Sequence, residues 1–231
     1  KMSTLLRFDN LEVELKNFNN DFLILSSKEG KTLQKIGKAI YQKNFHFAEE
    51  VIVTESEVCV KLNKYFEPAH LALLQNLNTT NDFQQNTYKL PIHFNNHKDW
   101  VAVEKTTGLS RSTVIQKLVQ TEWSVSMFGF LPGFVYLQEM PAELYVPRKK
   151  NPSKYISANS LAMGGKYLGI YSIDSPGGWH VIGQLPISVL NLTDLPPVAF
   201  NLEDKVILQP ISAAAFEQLA SQKISLKAYH A

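Results

Sequence analysis

A single cysteine in 231 residues, Cys59, excludes an intrachain disulfide framework and any multi-cysteine zinc site. No uninterrupted apolar run approaches the roughly 18–20 residues needed to span a bilayer, and the N-terminus lacks the basic-then-apolar design of a secretory signal. Neither sign of charge dominates: 23 Lys and Arg stand against 21 Asp and Glu, a formal net charge of +2. So even a balance offers no concentrated basic face for nucleic acid. The common catalytic signatures are missing too. Gly164-Gly165-Lys166 has the wrong spacing for a phosphate loop and no Ser or Thr follows the lysine, and no G-x-S-x-G elbow occurs. There is no internal repeat, heptad or low-complexity tract. What remains is an ordinary soluble composition, 45% hydrophobic and 19% charged, expected in the cytoplasm and able to bury one large core or two modest ones.

Charge and glycine are unevenly spread. Residues 1–85 hold 10 basic and 11 acidic side chains, and residues 86–231 hold 13 and 10. Eight of the eleven glycines lie between Gly129 and Gly183, where even spreading would place about 2–3. Glycine is favoured where the backbone takes a positive φ or approaches another group closely, so this window is the place to seek a site.

Residues 1–85 read as a small α+β domain. Asp21–Ser26 is a strand candidate, and Leu33, Ile36, Ile40 and Tyr41 follow at helical spacing. Val51–Val53 and the alternating Val58, Val60 and Leu62 form a hairpin. Pro68 opens a helix carrying Leu71, Leu74 and Leu77. The polar stretch Asn76–Asn86 is the best linker. Residues 86–231 then begin with a strand over Tyr88–Phe94. A helix from Asp99 (N-cap) to Gly108 and another from Ser110 or Ser112 to about Gln120 follow. Trp123, Val125 and Met127 alternate as a strand. Short apolar runs broken by Gly and Pro continue to Gln209, which argues for a β-barrel or sandwich, and Ser212–Leu219 is a closing helix.

Three constellations are tempting and weak. His93 and His97 stand at i, i+4 but straddle a strand end and a loop, so two solvated side chains is the better reading than a metal pair. Cys59 lies in an alternating strand with no activating partner. Asp174, Ser175 and His180 crowd into seven residues across a Pro-Gly-Gly stretch, whereas hydrolytic triads draw their members from separate elements.

Two Pro-Gly sequences carry more. In Gly129-Phe130-Leu131-Pro132-Gly133-Phe134-Val135-Tyr136, proline followed by glycine suits a type II turn, with aromatics on both flanks. In Ser175-Pro176-Gly177-Gly178-Trp179-His180, a second tight turn is expected, its glycine N–H groups free to form an anion-binding nest. Between them lies Pro147-Arg148-Lys149-Lys150, in which Arg148 is suited to a carboxylate or phosphate. The expected ligand-facing set is Phe130, Pro132, Gly133, Phe134, Tyr136, Arg148, Pro176, Gly177, Gly178, Trp179 and His180, with a small anionic ligand; the alternative is that these are only corners of a barrel.

At these residues a resemblance emerges. Gly129–Leu137 (GFLPGFVYL), Pro147-Arg148, Ser160–Tyr171 (SLAMGGKYLGIY) and Ser175–Gly183 (SPGGWHVIG) resemble the allophanate hydrolase subunit 1 family, and Lys205–Leu219 is similar to its closing strand and helix. That family includes the B component of prokaryotic 5-oxoprolinase and a sporulation histidine-kinase inhibitor. The resemblance implies an α+β N-terminal domain followed by a mainly β, cyclophilin-like barrel domain. It implies a subunit, inactive alone, of an ATP-dependent hydrolase that opens 5-oxoproline to glutamate. The partners so implied are the related C component and a third, the A component, of that 5-oxoprolinase. Two alternatives come with it: an inhibitor of a sensor histidine kinase, and a carboxyltransferase component of the allophanate hydrolase and urea amidolyase type. On this resemblance Arg148 anchors a carboxylate, the Gly177-Gly178 backbone meets developing charge, and Phe134 and Trp179 wall the pocket. The chain departs from the family where Asn95–Trp100 replaces a Gly-Pro-Asp-Leu stretch. Leu118 replaces a histidine, Gln184 an arginine, and Ser153 or Lys154 another arginine.

Overall fold

The computed structural model describes residues 3–8, 11–63, 65–77 and 85–230, and the chain divides into two compact units, Lys1–Gln84 and Gln85–Ala231. Of the expected linker Asn76–Asn86, residues 78–84 lie outside the described residues.

In the first unit the order is β1 (Ser3–Phe8), β2 (Leu11–Phe18), β3 (Phe22–Ser26), α1 (Gly30–Lys43), β4 (Ala48–Val53), β5 (Glu57–Leu62) and α2 (Pro68–Gln75). The strands form an antiparallel sheet in the order β1-β2-β3-β5-β4. Alternation buries Leu6, Val13, Leu15, Leu23, Leu25, Val58 and Val60. Leu33, Ile36 and Ile40 of α1 are fully buried as that helix packs over β4 and β5. Two strands precede the first one expected, because β1 and β2 fill their outer positions with Arg7, Glu12, Glu14 and Lys16 and present no apolar run. Tyr41, grouped with the apolar face of α1, is 66% exposed, and of the three leucines expected on α2 only Leu74 is buried. Cys59 pairs with Ile24 and Ile52. Burial, then the charges of Glu57 and Glu50, push its thiol pKa up, which makes it a poor nucleophile. An open groove of about 930 Å³ in this unit is lined by β1, β2, residues 26–29 ahead of α1, and Ser56 and Glu57; none of the expected ligand-facing residues borders it.

The second unit contains β6 (Thr87–Ile92), α3 (Trp100–Thr107), α4 (Arg111–Gln120), β7 (Trp123–Phe128), β8 (Val135–Gln138), β9 (Ser153–Ile156) and β10 (Ser160–Gly164). There follow β11 (Tyr167–Ile170), β12 (Ser175–Gly177), β13 (His180–Gln184), β14 (Lys205–Pro210), α5 (Ala213–Ser221) and α6 (Leu226–Tyr229). Seven strands form one sheet, β13-β10-β11-β8-β7-β14-β6, and β9 pairs with β12 apart from it. The sheet curls until its edges meet: His93, just past β6, exchanges both backbone hydrogen bonds with Gln184 of β13, each 3.0 Å. Gly108 ends α3 in the left-handed conformation, φ 68°, and the Ser110 side chain accepts from Thr113 N–H to start α4, as the residue types demand. The two faces of the curled sheet bury different clusters. Leu161, Met163 and Ile182 join the large core with Trp100, Val114, Leu118, Trp123 and Leu208. Their chain neighbours Ala162 and Val181 face a smaller one with Phe134, Ile156, Tyr171 and Trp179. Among the described residues no helix is long and apolar enough to cross a membrane.

Candidate functional site

The smaller cluster is where the two motifs meet. Phe134 N–H bonds Leu131 C=O at 3.0 Å across Pro132-Gly133, and Gly133 has φ 73°, so the first turn forms as its residues require. Just before it, Leu131 N–H reaches Gly129 C=O at 2.8 Å around Phe130, whose φ is 68°. A bulky residue held there is strained, and such strain concentrates at functional sites. It leaves Phe130 59% exposed, its ring edge-on to Phe134 at 5.5 Å and to Tyr171 at 6.1 Å. Phe134 in turn meets Tyr136 (4.8 Å), Tyr171 (5.0 Å) and Trp179 (5.6 Å), and Tyr136 meets Trp179 at 5.5 Å. Edge-to-face pairs of this kind lock ring orientations. The glycines explain the closeness: a Cβ on Gly164 would strike the Trp179 indole, and one on Gly169 would lie 2.6 Å from it. The Arg148 guanidinium lies 6.0 Å from the centre of the Trp179 ring. Burial pushes the Tyr171 hydroxyl pKa up to about 12; Tyr136 and Asp99 act in the same sense, while a backbone bond from Trp179 and the charge of Arg148 oppose it.

Beside this cluster stands a charged centre that local sequence patterns do not signal. Asp99 occupies the N-cap position of α3 but has helical dihedrals and does not cap. Its Oδ2 instead accepts from Val181 N–H at 2.9 Å and from Lys149 Nζ at 2.5 Å, with His97 Nδ1 at 3.4 Å. Lys149 Nζ also donates to Ser153 Oγ at 2.9 Å. Asp99 and Lys149 are 7% and 12% exposed, which is rare for charges unless they are paired. Burial lowers the His97 pKa; Asp99 opposes this, and Lys149 and Lys98 add to it. An aspartate at a helix start reads as a cap, and a lysine inside Arg148-Lys149-Lys150 reads as solvated. Residues 50 and 82 positions apart leave no local trace of such a pairing.

The second expected turn is not there. Ser175–Gly177 is the extended strand β12, with Ser175 opposite Ile156 and Gly177 opposite Ser153. Neither Gly177 nor Gly178 takes a left-handed φ, so the nest geometry is absent. Gly177 is glycine because a Cβ would strike the Tyr171 hydroxyl. Pro176 is exposed on that strand, and Gly178 C=O accepts from Lys149 N–H at 2.7 Å. Pro132 C=O accepts from Ser172 Oγ at 2.5 Å, which ties the first turn to the chain beside Tyr171. His180 stands apart from any triad: its Nε2 lies 3.0 Å from Pro147 C=O, while the Asp174 carboxylate accepts from Tyr155 Oη and Ala158 N–H. The two histidines at i, i+4 are half-buried rather than fully solvated: His93 Nδ1 lies 3.3 Å from Ile211 C=O and His97 Nδ1 accepts from Asp99 N–H. Among the departures, Asn95–Trp100 still supplies a carboxylate, Asp99. Leu118 is buried core, and Gln184 donates to Ala158 C=O. Among the described residues no group of three His, Cys, Asp or Glu is placed to hold a metal ion.

Comparison with known proteins gives the geometry its context. The family model for the carboxyltransferase domain, subdomain C and D, matches residues 13–200. The B component of the Bacillus subtilis 5-oxoprolinase is 36% identical over 114 residues, 49% of this chain and 48% of that one. Its counterpart in Escherichia coli O157:H7 is 33% identical over 112 residues, 48% and 51%. The chain therefore spans about half the length of the curated relatives it matches. Among solved structures, the urea amidolyase of K. lactis superposes with a TM-score of 0.71 at 14% identity, covering 96% of this chain and 16% of that one, a likeness of fold alone.

Proposed function

Because the chain belongs to the carboxyltransferase subdomain C and D family, we propose that it is a subunit of a 5-oxoprolinase-type hydrolase. That enzyme opens 5-oxoproline to glutamate with ATP, together with components of the A and C type. The relatives named as 5-oxoprolinase B components support the assignment. The observation that carries the site is the convergence of Phe134, Tyr136, Tyr171 and Trp179 with Arg148 over the Trp179 ring. A small ring with a carboxylate needs an apolar wall and a fork of N–H donors. Phe130 and Tyr136, backed by the buried Phe134 and Trp179, supply the first and Arg148 the second. Pro132, Gly133, Gly177 and Gly178 belong to this site as the backbone that brings its walls together, and Pro176 and His180 as flanking positions. In this reading residues 1–85 are an α+β domain and residues 86–231 a cyclophilin-like barrel, and ATP is bound by the assembled complex.

The test is a coupled assay with purified A- and C-type partners: glutamate release from 5-oxoproline must require ATP and this chain. Arg148→Ala and Trp179→Ala are expected to lower the rate at least tenfold. Wild-type rates in both variants sink the assigned site, and no turnover in the complete mixture sinks the function. The family's carboxyltransferase description favours one other reading, a component acting on a urea-derived substrate; carboxylation of urea to allophanate, dependent on ATP, bicarbonate and a biotin carrier, would select it.

A further inference from the structure

An ammonium has three protons to donate. Among the described residues, Lys149 spends one on Asp99 Oδ2 at 2.5 Å and one on Ser153 Oγ at 2.9 Å. The third remains, on a side chain only 12% exposed and therefore poorly served by bulk water. Charge decides what kind of oxygen it meets. Asp99 cancels Lys149, and burial holds His97 toward its neutral form, so this centre as a whole carries no net charge. Arg148 has no carboxylate partner among the described residues and lies exposed at the Trp179 ring, so it carries a full positive charge. The two residues are consecutive, and the Tyr171 hydroxyl feels the charges of both Arg148 and the Asp99 that holds Lys149, so both donors border the same aromatic cluster. A ligand with an anionic end and a neutral carbonyl end thus finds a charged donor for the first and a compensated donor for the second.

We propose that Lys149 is a ligand-binding group, donating its third proton to the lactam oxygen of a small cyclic amide whose carboxylate is taken by Arg148. Asp99 and Ser153 aim the ammonium. The inference rests on the 5-oxoprolinase reading and adds to it which group holds which end of the substrate. The experiment uses the reconstituted complex with three probes: 5-oxoproline as substrate, and two competitive inhibitors. Cyclopentanecarboxylate keeps a five-membered ring and the carboxylate and lacks the lactam group; 2-pyrrolidinone keeps the lactam and lacks the carboxylate. Lys149→Met is expected to raise the KM for 5-oxoproline and the Ki for 2-pyrrolidinone by about tenfold or more, the loss of a charge-assisted hydrogen bond. It leaves the Ki for cyclopentanecarboxylate unchanged. Arg148→Gln is expected to do the reverse, weakening 5-oxoproline and cyclopentanecarboxylate and sparing 2-pyrrolidinone. Because Lys149→Met strands a buried carboxylate, the doubly neutral Asp99→Asn, Lys149→Met variant, matched to wild type in its melting temperature, must show the same pattern. Constants within threefold of wild type overturn the proposal, and so does equal weakening of all three probes, the mark of a structural role. If neither analogue competes in the wild type, the division into two ends is wrong and the proposal falls. A wild-type complex that leaves 5-oxoproline untouched overturns instead the reading on which it rests.

Discussion

The pair Asp99–Lys149 makes a sharp claim about stability. At 2.5 Å and an effective dielectric of about 20, the Coulomb attraction is about 6–7 kcal/mol. Taking each ion out of water costs several kcal/mol, so the intact pair is close to neutral in net worth. Removing one member is a different matter. In Lys149→Met the Asp99 carboxylate keeps only the Val181 N–H and the His97 ring beside it, and a stranded buried charge costs about 3–5 kcal/mol. For a unit spanning Gln85–Ala231 that is roughly 10 °C in melting temperature. Asp99→Asn should cost less, because the long lysine stem can carry its ammonium outward while an asparagine oxygen still accepts from Val181. The doubly neutral variant should recover most of the loss, giving a coupling of about 2 kcal/mol or more. The assay is urea unfolding followed by tryptophan fluorescence, which reports the second unit alone because Trp100, Trp123 and Trp179 all lie there. Single-variant losses that add within about 0.5 kcal/mol refute the reasoning, since independent charges cannot be the buried pair described.

Gly164→Ala sets a methyl group against the Trp179 indole. It should destabilise the second unit by about 1–3 kcal/mol through overpacking and shift the emission of Trp179, whereas Gly165→Ala, with open space around it but a left-handed φ of 63°, should cost about 1–2 kcal/mol of backbone strain and leave the emission unchanged. Tyr171 is held protonated by burial to about pH 12, so its share of stability is intact below the ordinary value near 10 and is lost as pH climbs from 10 to 12. That share is about 2 kcal/mol, and Tyr171→Phe should flatten the decline in urea midpoints across that window. His97 shows the opposite sign. Its pKa is depressed, so its contribution is present above about pH 6.5 and lost as pH falls below it; His97→Gln should remove that acid-side slope.

How much of this could be read from the chain depends on the range of the rule involved. Helices α3 and α4 were legible because Gly108 and Ser110 act within one turn of themselves. Strand β7 was legible because Trp123 and Val125 keep a period of two. The Pro132-Gly133 turn was legible for the same reason, since proline and glycine constrain their own φ. The Pro176-Gly177 pair shows the limit of that logic. The same dipeptide lies extended in β12, and its glycine answers to the Tyr171 hydroxyl, six residues back in the chain. Strands β1 and β2 were missed because one face carries charge and a scan for apolar runs passes over half-polar strands. Likewise the bridge from His93 to Gln184 that closes the curled sheet joins residues 91 apart, and no window along the chain contains both.

The aromatic half of the candidate site and its charged half differ in the same way. Phe130, Phe134 and Trp179 announce themselves because large apolar side chains beside glycines imply close packing wherever they fall. Arg148, Lys149 and Lys150 are alike in sequence, yet only Lys149 is turned inward, drawn by a carboxylate that a helix start would ordinarily use as a cap. Selection among three adjacent cations is made by tertiary desolvation, an energy that exists only once β13 has brought Val181 to Asp99. A site assembled this way keeps its walls in the local pattern and its chemistry in the fold. The lysine that meets the ligand oxygen must therefore be sought by its burial and its partner, since its neighbours in the chain share its charge.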